Sequence, residues 1–290
     1  MIAFMFPGQG SQKRGMGQNL FDTVGEYRRL EPEVDAILGY SLRKLCLEDP
    51  DNRLKETQYT QPSLYVVNAL HWYQALSQGE QAQYAAGHSL GEYNALLAAG
   101  TFDFLTGLRL VKKRGELMSQ ARDGGMAAVV GLSAPRIRQI LGEHALSGLE
   151  VANYNSPLQT VVSGGLGDIN RAAPFFEKAG AQLYMPLQVG AAFHSRWMGH
   201  AATAFAQYLD QFTFNAPKFP VIANATGQPY PATDPTQSVR SLLSRQIRES
   251  VLWTQSVRFL IDGGVTEFRE LGPGNVLTRL VQQIRQVKAA

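Results

Sequence analysis

Short apolar runs alternate along the chain with longer segments in which apolar residues recur every three or four positions. The runs at 2–6, 83–86, 126–131, 149–153, 159–163 and 182–187 have the length and composition of strands. Segments 134–144 and 168–179 carry helical spacing, and 62–76 reads as a helix packed mostly inside, with Leu64, Val67, Leu70 and Trp72 among its apolar residues. A further helix over 104–119 sets Phe104, Leu108, Val111 and Met118 on one face. Strands alternating with amphipathic helices predict an α/β architecture.

Within that alternation one stretch has its own order. From about residue 125 the elements run strand, helix, strand, strand, helix, strand, the ferredoxin-like unit. The expected organisation is therefore a larger domain made of 1–124 and 189–290, with a small ferredoxin-like domain, 125–188, inserted in it. No fixed-period repeat and no low-complexity tract interrupts this plan.

Composition narrows the function classes. With 290 residues, 44% of them hydrophobic, the chain can bury a sizeable core. Cys46 is the single cysteine, which excludes an intrachain disulfide framework and fits a reducing compartment. A formal net charge of +3 is too weak to argue for nucleic acid. There is no run of about 18 apolar residues to span a membrane. The apolar start breaks at Pro7 and lacks a basic leader, so it reads as a first strand rather than a signal peptide. Cytoplasmic location is the resulting expectation.

The chemistry concentrates at Gly87-His88-Ser89-Leu90-Gly91, a Gly-x-Ser-x-Gly nucleophile elbow. Such a turn needs a strand before it and a helix after it, and both are in place. The serine requires a base, and five histidines are on offer: His71, His88, His144, His194 and His200. His71 precedes the elbow, His88 adjoins the serine and points away from it, and His144 ends a helix of the insert. In elbow enzymes the base follows the nucleophile, which leaves His194 and His200. The small-residue loop at the domain junction favours His194. No Asp or Glu near it offers itself as the orienting third member, which weakens a plain esterase reading.

Arg114 is the second chemical signal. Its neighbours at helical spacing, Leu110, Val111, Leu117 and Met118, are all apolar, so its guanidinium is expected to be at least partly buried. A buried cation needs a partner, either a structural carboxylate or one on a substrate, held by the planar fork.

Taken together these residues resemble the malonyl-CoA:acyl carrier protein transacylase family, over essentially the whole chain. The markers are the Pro7-Gly8-Gln9-Gly10-Ser11 turn, Gln61-Pro62, the elbow with Glu92 and Tyr93, Arg114-Gly115, Asn153-Tyr154-Asn155, Ala192-Phe193-His194 and Gly272-Pro273-Gly274. The resemblance implies an α/β-hydrolase-like large domain carrying the insert, with the active site between them. It implies Ser89 as nucleophile, His194 as base, and an oxyanion hole from the Gln9 and Leu90 N–H groups. The backbone carbonyl at Gln246 would orient the histidine in place of an acid. Arg114 would bind the malonyl carboxylate, Gln61 would line the pocket, and Phe193 would exclude an α-methyl branch. No metal or organic cofactor is implied. The substrates are malonyl-CoA and a phosphopantetheinylated acyl carrier protein, with neither nucleic acid nor membrane as partner, and the chain is expected to act as a monomer. Lys112, Lys113, Arg279 and Arg285 could meet an acidic carrier, although such residues are more often plain solvated charges. The free-standing length resembles discrete acyltransferases that serve polyketide synthases in trans. The alternatives are a housekeeping fatty-acid transacylase, an acyl hydrolase that edits stalled carriers, a generic esterase, or a non-catalytic docking protein.

Overall fold

A computed structural model describes residues 1–286. The first stretch runs β1 (Ile2–Phe6), α1 (Leu20–Thr23), α2 (Gly25–Leu38), α3 (Leu42–Glu48), α4 (Thr57–Ser77), β2 (Tyr84–Gly87), α5 (Gly91–Ala98) and α6 (Phe104–Ser119). Then come β3 (Gly124–Val130), α7 (Ala134–Glu143), β4 (Leu149–Ser156), β5 (Gln159–Gly165), α8 (Leu166–Lys178) and β6 (Leu183–Pro186). A single 3₁₀ turn at Arg196–Met198 leads into α9 (Gly199–Leu209), β7 (Val221–Ile222), α10 (Pro235–Arg248), α11 (Trp253–Asp262), β8 (Glu267–Glu270) and α12 (Val276–Gln286).

The strands form two sheets. One is parallel, in the order β7-β2-β1-β8. Its β1 is apolar throughout because both faces are covered: Phe4 and Phe6 enter one core cluster, Ala3 and Met5 another. The second sheet is antiparallel, in the order β4-β5-β3-β6. One of its faces buries Ala127, Val129 and Val162 against Ile137, Ile140, Ile169 and Phe176 of α7 and α8. Alternation sends Met126, Ala128 and Val161 to the opposite face, where they line a cleft against the parallel sheet.

The antiparallel sheet is tied by main chain to the segment that precedes α11. Val251, just before α11, donates to the Ala152 carbonyl at 2.8 Å and accepts from the Tyr154 N–H at 2.9 Å. This isolated parallel bridge holds β4 at Asn153, a residue that lines the cleft.

Helix α4 departs from the expectation drawn from the sequence, because it begins at Thr57 and carries Pro62 inside it. Proline lacks one donor, so its cost is confined to one helical bond near the start of the helix. Thr60 Oγ1 helps close that first turn by donating to the carbonyls of Leu54 (2.6 Å) and Glu56 (3.0 Å). The other expected strands and helices form with ends shifted by three residues at most, and β1 and α6 with none.

Candidate active site

Strands β1 and β2 are parallel neighbours in register, with Phe6 opposite Gly87. Their C-terminal ends therefore deliver two loops to one place, the edge at which open parallel sheets place their ligand sites. From β1 comes Gly8-Gln9; from β2 comes the elbow. The elbow glycines are dictated by contact. A Cβ on Gly87 would lie 1.9 Å from the Gly91 carbonyl carbon, and one on Gly91 would lie 1.9 Å from the Phe6 oxygen. Between them Ser89 has φ of 51°, in the left-handed region that non-glycine residues avoid. Asn224, after β7, clamps this turn on both sides. Its Oδ1 accepts from the Ser89 N–H at 2.7 Å, and its Nδ2 donates to the Gly87 carbonyl at 2.7 Å.

His194 follows the antiparallel sheet in the junction loop, also with a left-handed backbone at φ 57°. Its Nδ1 lies 2.7 Å from the Gln246 main-chain oxygen. A carbonyl only accepts, so Nδ1 carries the proton and Nε2 is left bare. That Nε2 is 2.8 Å from Ser89 Oγ and accepts its hydroxyl proton. Burial first, and then the nearby Arg114 charge, lower the His194 pKa to about 3. The resting imidazole is accordingly neutral, the form a general base requires.

Arg114 on α6 is buried, at 1% exposure. It donates from Nη1 to Gln61 Oε1 (2.7 Å), and from Nη2 to Gln246 Oε1 (2.9 Å) and Ser89 Oγ (3.1 Å). The Tyr93 ring is close too, with the guanidinium carbon over it at 5.6 Å from the centroid. Its Nε has no partner among the described residues. All these acceptors are neutral, so the cation keeps its charge for a visitor. Desolvation shifts its pKa downward, and the neighbouring Tyr93 and Glu92 offset part of that shift.

Gln9, Gln61, Ser89, Leu90, Arg114, Phe193 and His194 all line one cavity of ≈ 280 Å³. Gln246 lies behind it, fully buried. The Gln9 and Leu90 N–H groups donate to no protein acceptor among the described residues. Leu90 also stands at the N-terminal end of α5, where the helix dipole favours developing negative charge. The arrangement can deprotonate a serine, hold an oxyanion and grip a carboxylate on the acyl group. A larger, more open recess of ≈ 670 Å³ adjoins the cavity through Met118, Val189 and Phe193, with Lys55 and Arg122 among its walls.

Of the other histidines, His144 stacks on Phe175 with centroids 4.1 Å apart, and His200 is exposed on α9. The His88 Nε2 pairs with Asn155 Oδ1 at 2.8 Å, turned away from the hydroxyl. Lys112, Lys113, Arg279 and Arg285 line neither recess. Among the described residues no cluster of three or more His, Cys, Asp or Glu side chains is placed to hold a metal, and no helix is long and apolar enough to cross a membrane.

Asn224 and Tyr230 were not legible as site residues, because β7 beside them is only two residues long and carries no pattern. Glu92 offered one signal, a carboxylate followed by the apolar run Ala95, Leu96 and Leu97 on a short helix.

The sequence matches the family described as acyl transferase domain over residues 3–289. It is 50% identical over 287 residues to the polyketide biosynthesis malonyl CoA-acyl carrier protein transacylase BaeC of Bacillus velezensis, covering 98% of this chain and 97% of that one. The crystal structure of a malonyl CoA-acyl carrier protein transacylase from Burkholderia pseudomallei superposes with a TM-score of 0.94 at 48% identity, covering 100% of this chain and 99% of the other. A malonyl-transacylase solved in complex with its type II PKS acyl-carrier protein gives a TM-score of 0.92 at 35% identity, over 98% of this chain and 93% of that one.

Proposed function

Because this chain belongs to the acyl transferase family, we propose that it moves a malonyl group from malonyl-CoA to the phosphopantetheine thiol of an acyl carrier protein, through a malonyl-serine ester. The observation that carries this reading is that the buried Arg114 cation reaches the Ser89 hydroxyl itself. A carboxylate two bonds beyond a bound acyl carbonyl carbon would meet the guanidinium in the same cavity that holds the nucleophile.

The steps follow from the hydrogen bonds. His194 Nε2 takes the hydroxyl proton as Ser89 Oγ attacks the thioester carbonyl. Negative charge develops on that oxygen within reach of the Gln9 and Leu90 N–H groups. Collapse expels the coenzyme A thiolate, which receives the proton from His194. The carrier thiol then attacks the ester with the same base, completing a ping-pong cycle. The Gln246 carbonyl accepts from the Nδ1–H throughout, in the place where hydrolases use a carboxylate, and so keeps Nε2 free to take and return the proton. Met118, Met126, Val161, Leu187 and Phe193 make much of the cavity wall apolar, which disfavours water at the ester. The adjoining recess gives the pantetheine arm a way in.

Service to a polyketide synthase in trans is supported by the 50% identity with BaeC over nearly its full length. The parallel sheet with its elbow supports an α/β-hydrolase-like domain of 1–124 and 189–290. The strand order β4-β5-β3-β6 supports a ferredoxin-like insert at 125–188. The buried Cys46 thiol, which burial pushes up to about 12, suits cytoplasmic work under reducing conditions.

The test is loading of a holo carrier protein from malonyl-CoA. Malonyl-carrier formed with wild type and lost with Ser89→Ala supports the reading. Free malonate as the only product would instead make the protein a hydrolase.

A further inference from the structure

Glu92 is fully buried on α5, three residues beyond the nucleophile, and among the described residues no cation is hydrogen-bonded to it. Its contacts are three neutral donors: the Tyr230 hydroxyl on Oε1, and on Oε2 the Asn224 N–H at 3.1 Å and Gln246 Nε2 at 2.8 Å. Arg114, equally buried, touches only neutral oxygens. A cation and a carboxyl group, whose pKa burial raises to about 7 against the pull of its three donors, thus lie in one protein interior, separated by a single amide, that of Gln246.

The orientation of that amide is fixed by what surrounds it. Its Nε2 has two acceptors, the Ser89 carbonyl at 2.8 Å and Glu92 at 2.8 Å, so its oxygen must face Arg114. A carboxylate directly against the guanidinium would neutralise it and fill the place a substrate carboxylate needs. An amide backed by a carboxylate holds the fork in position and leaves its charge open. The same residue offers its main-chain carbonyl to His194, so the clamp and the base share one support.

We propose that Glu92 is a positioning residue for acyl-group selection: through the Gln246 amide it holds Arg114 at Ser89, and so sets the preference for a carboxylate-bearing acyl group without touching it. The inference rests on the malonyl-transfer reading.

The test compares single-turnover acylation of Ser89 by malonyl-CoA and by acetyl-CoA, read by intact-protein mass. Wild type must first acquire malonyl; if it acquires neither group, the transferase reading itself fails, independently of Glu92. Glu92→Leu keeps the bulk and removes the acceptor. It is expected to lower the malonyl-to-acetyl rate ratio by about tenfold or more, the effect of one charge-assisted hydrogen bond. Glu92→Gln retains an oxygen towards Gln246 Nε2 and should hold the ratio within about threefold of wild type. Combining Glu92→Leu with Gln246→Leu should lower the ratio no further than either change alone. If Glu92→Leu slows both donors equally, the carboxylate serves packing and the proposal is wrong. Should Glu92→Leu fail to fold, Gln246→Leu carries the test, because it keeps the main-chain carbonyl on His194. An unchanged ratio there overturns the proposal equally.

Discussion

Arg114 Nη2 and His194 Nε2 converge on one atom, the Ser89 Oγ, from 3.1 Å and 2.8 Å. The group that selects the acyl chain and the group that activates the nucleophile are therefore coupled through the hydroxyl between them. A cation at that distance stabilises the developing alkoxide and at the same time makes the imidazole a weaker base. A malonyl carboxylate that neutralised Arg114 would restore basicity to His194 as the substrate settles.

Arg114→Met should separate the two donors. Truncating one partner of a buried, hydrogen-bonded charge pair costs about 2–5 kcal/mol, or roughly 30- to 5,000-fold in rate. The loss is expected in kcat/KM for malonyl-CoA, with acetyl-CoA affected far less. Equal loss for both donors would remove the carboxylate clamp from the account.

The His194 pKa of about 3 predicts a flat acid side of the pH profile. The base form persists well below the unperturbed histidine value, so kcat/KM for acylation should show no histidine limb between pH 5 and 8. Arg114→Met removes the second cause of the depression, and its limb should move to higher pH. The same depression bears on stability. Between about 6.5 and 3 the unfolded chain binds the proton that the folded His194 refuses, so stability falls as pH drops through that window. His194→Gln should lose less of its thermal midpoint than wild type over the same range.

Phe193 is buried and lines both recesses. Phe193→Ala should raise acylation by methylmalonyl-CoA relative to malonyl-CoA by about tenfold or more, within the 1–3 kcal/mol that one methyl group can command. Competition between the two donors, resolved by the mass of the adduct, measures it. An unchanged ratio would place the discrimination elsewhere in the cavity.

Gly91→Ala tests the elbow. The new Cβ would sit 1.9 Å from the Phe6 carbonyl oxygen and 3.0 Å from that of Pro7, both backbone atoms. Such overpacking costs about 1–3 kcal/mol or more, so the thermal midpoint should fall along with activity. Gly190→Ala, where nothing lies within 4 Å of the added carbon, is the matched control for the midpoint.

Much of this site is legible in the sequence alone, because its parts obey strong local rules. The elbow needs two glycines where backbones cross, and the helix from Phe104 to Ser119 announces its buried face by spacing alone. Arg114 stood out because every helical neighbour was apolar. What escaped was set by contacts distant in sequence. Asn224 reaches the elbow from a strand of two residues, and Tyr230 meets Glu92 from a loop 138 positions away. Sequence pattern starts helix α4 at its proline, whereas the helix begins at Thr57. Helices α1 and α3 are short, and α2 carries Pro32 inside it, so local pattern does not announce them.

The central claim is the malonyl-serine ester, and intact-protein mass spectrometry after brief exposure to malonyl-CoA tests it most directly. The account predicts one malonyl adduct that maps to Ser89 and moves onto a holo carrier protein when that is added. An adduct elsewhere, no adduct at all, or one that decays to free malonate at the same rate with or without carrier would contradict it.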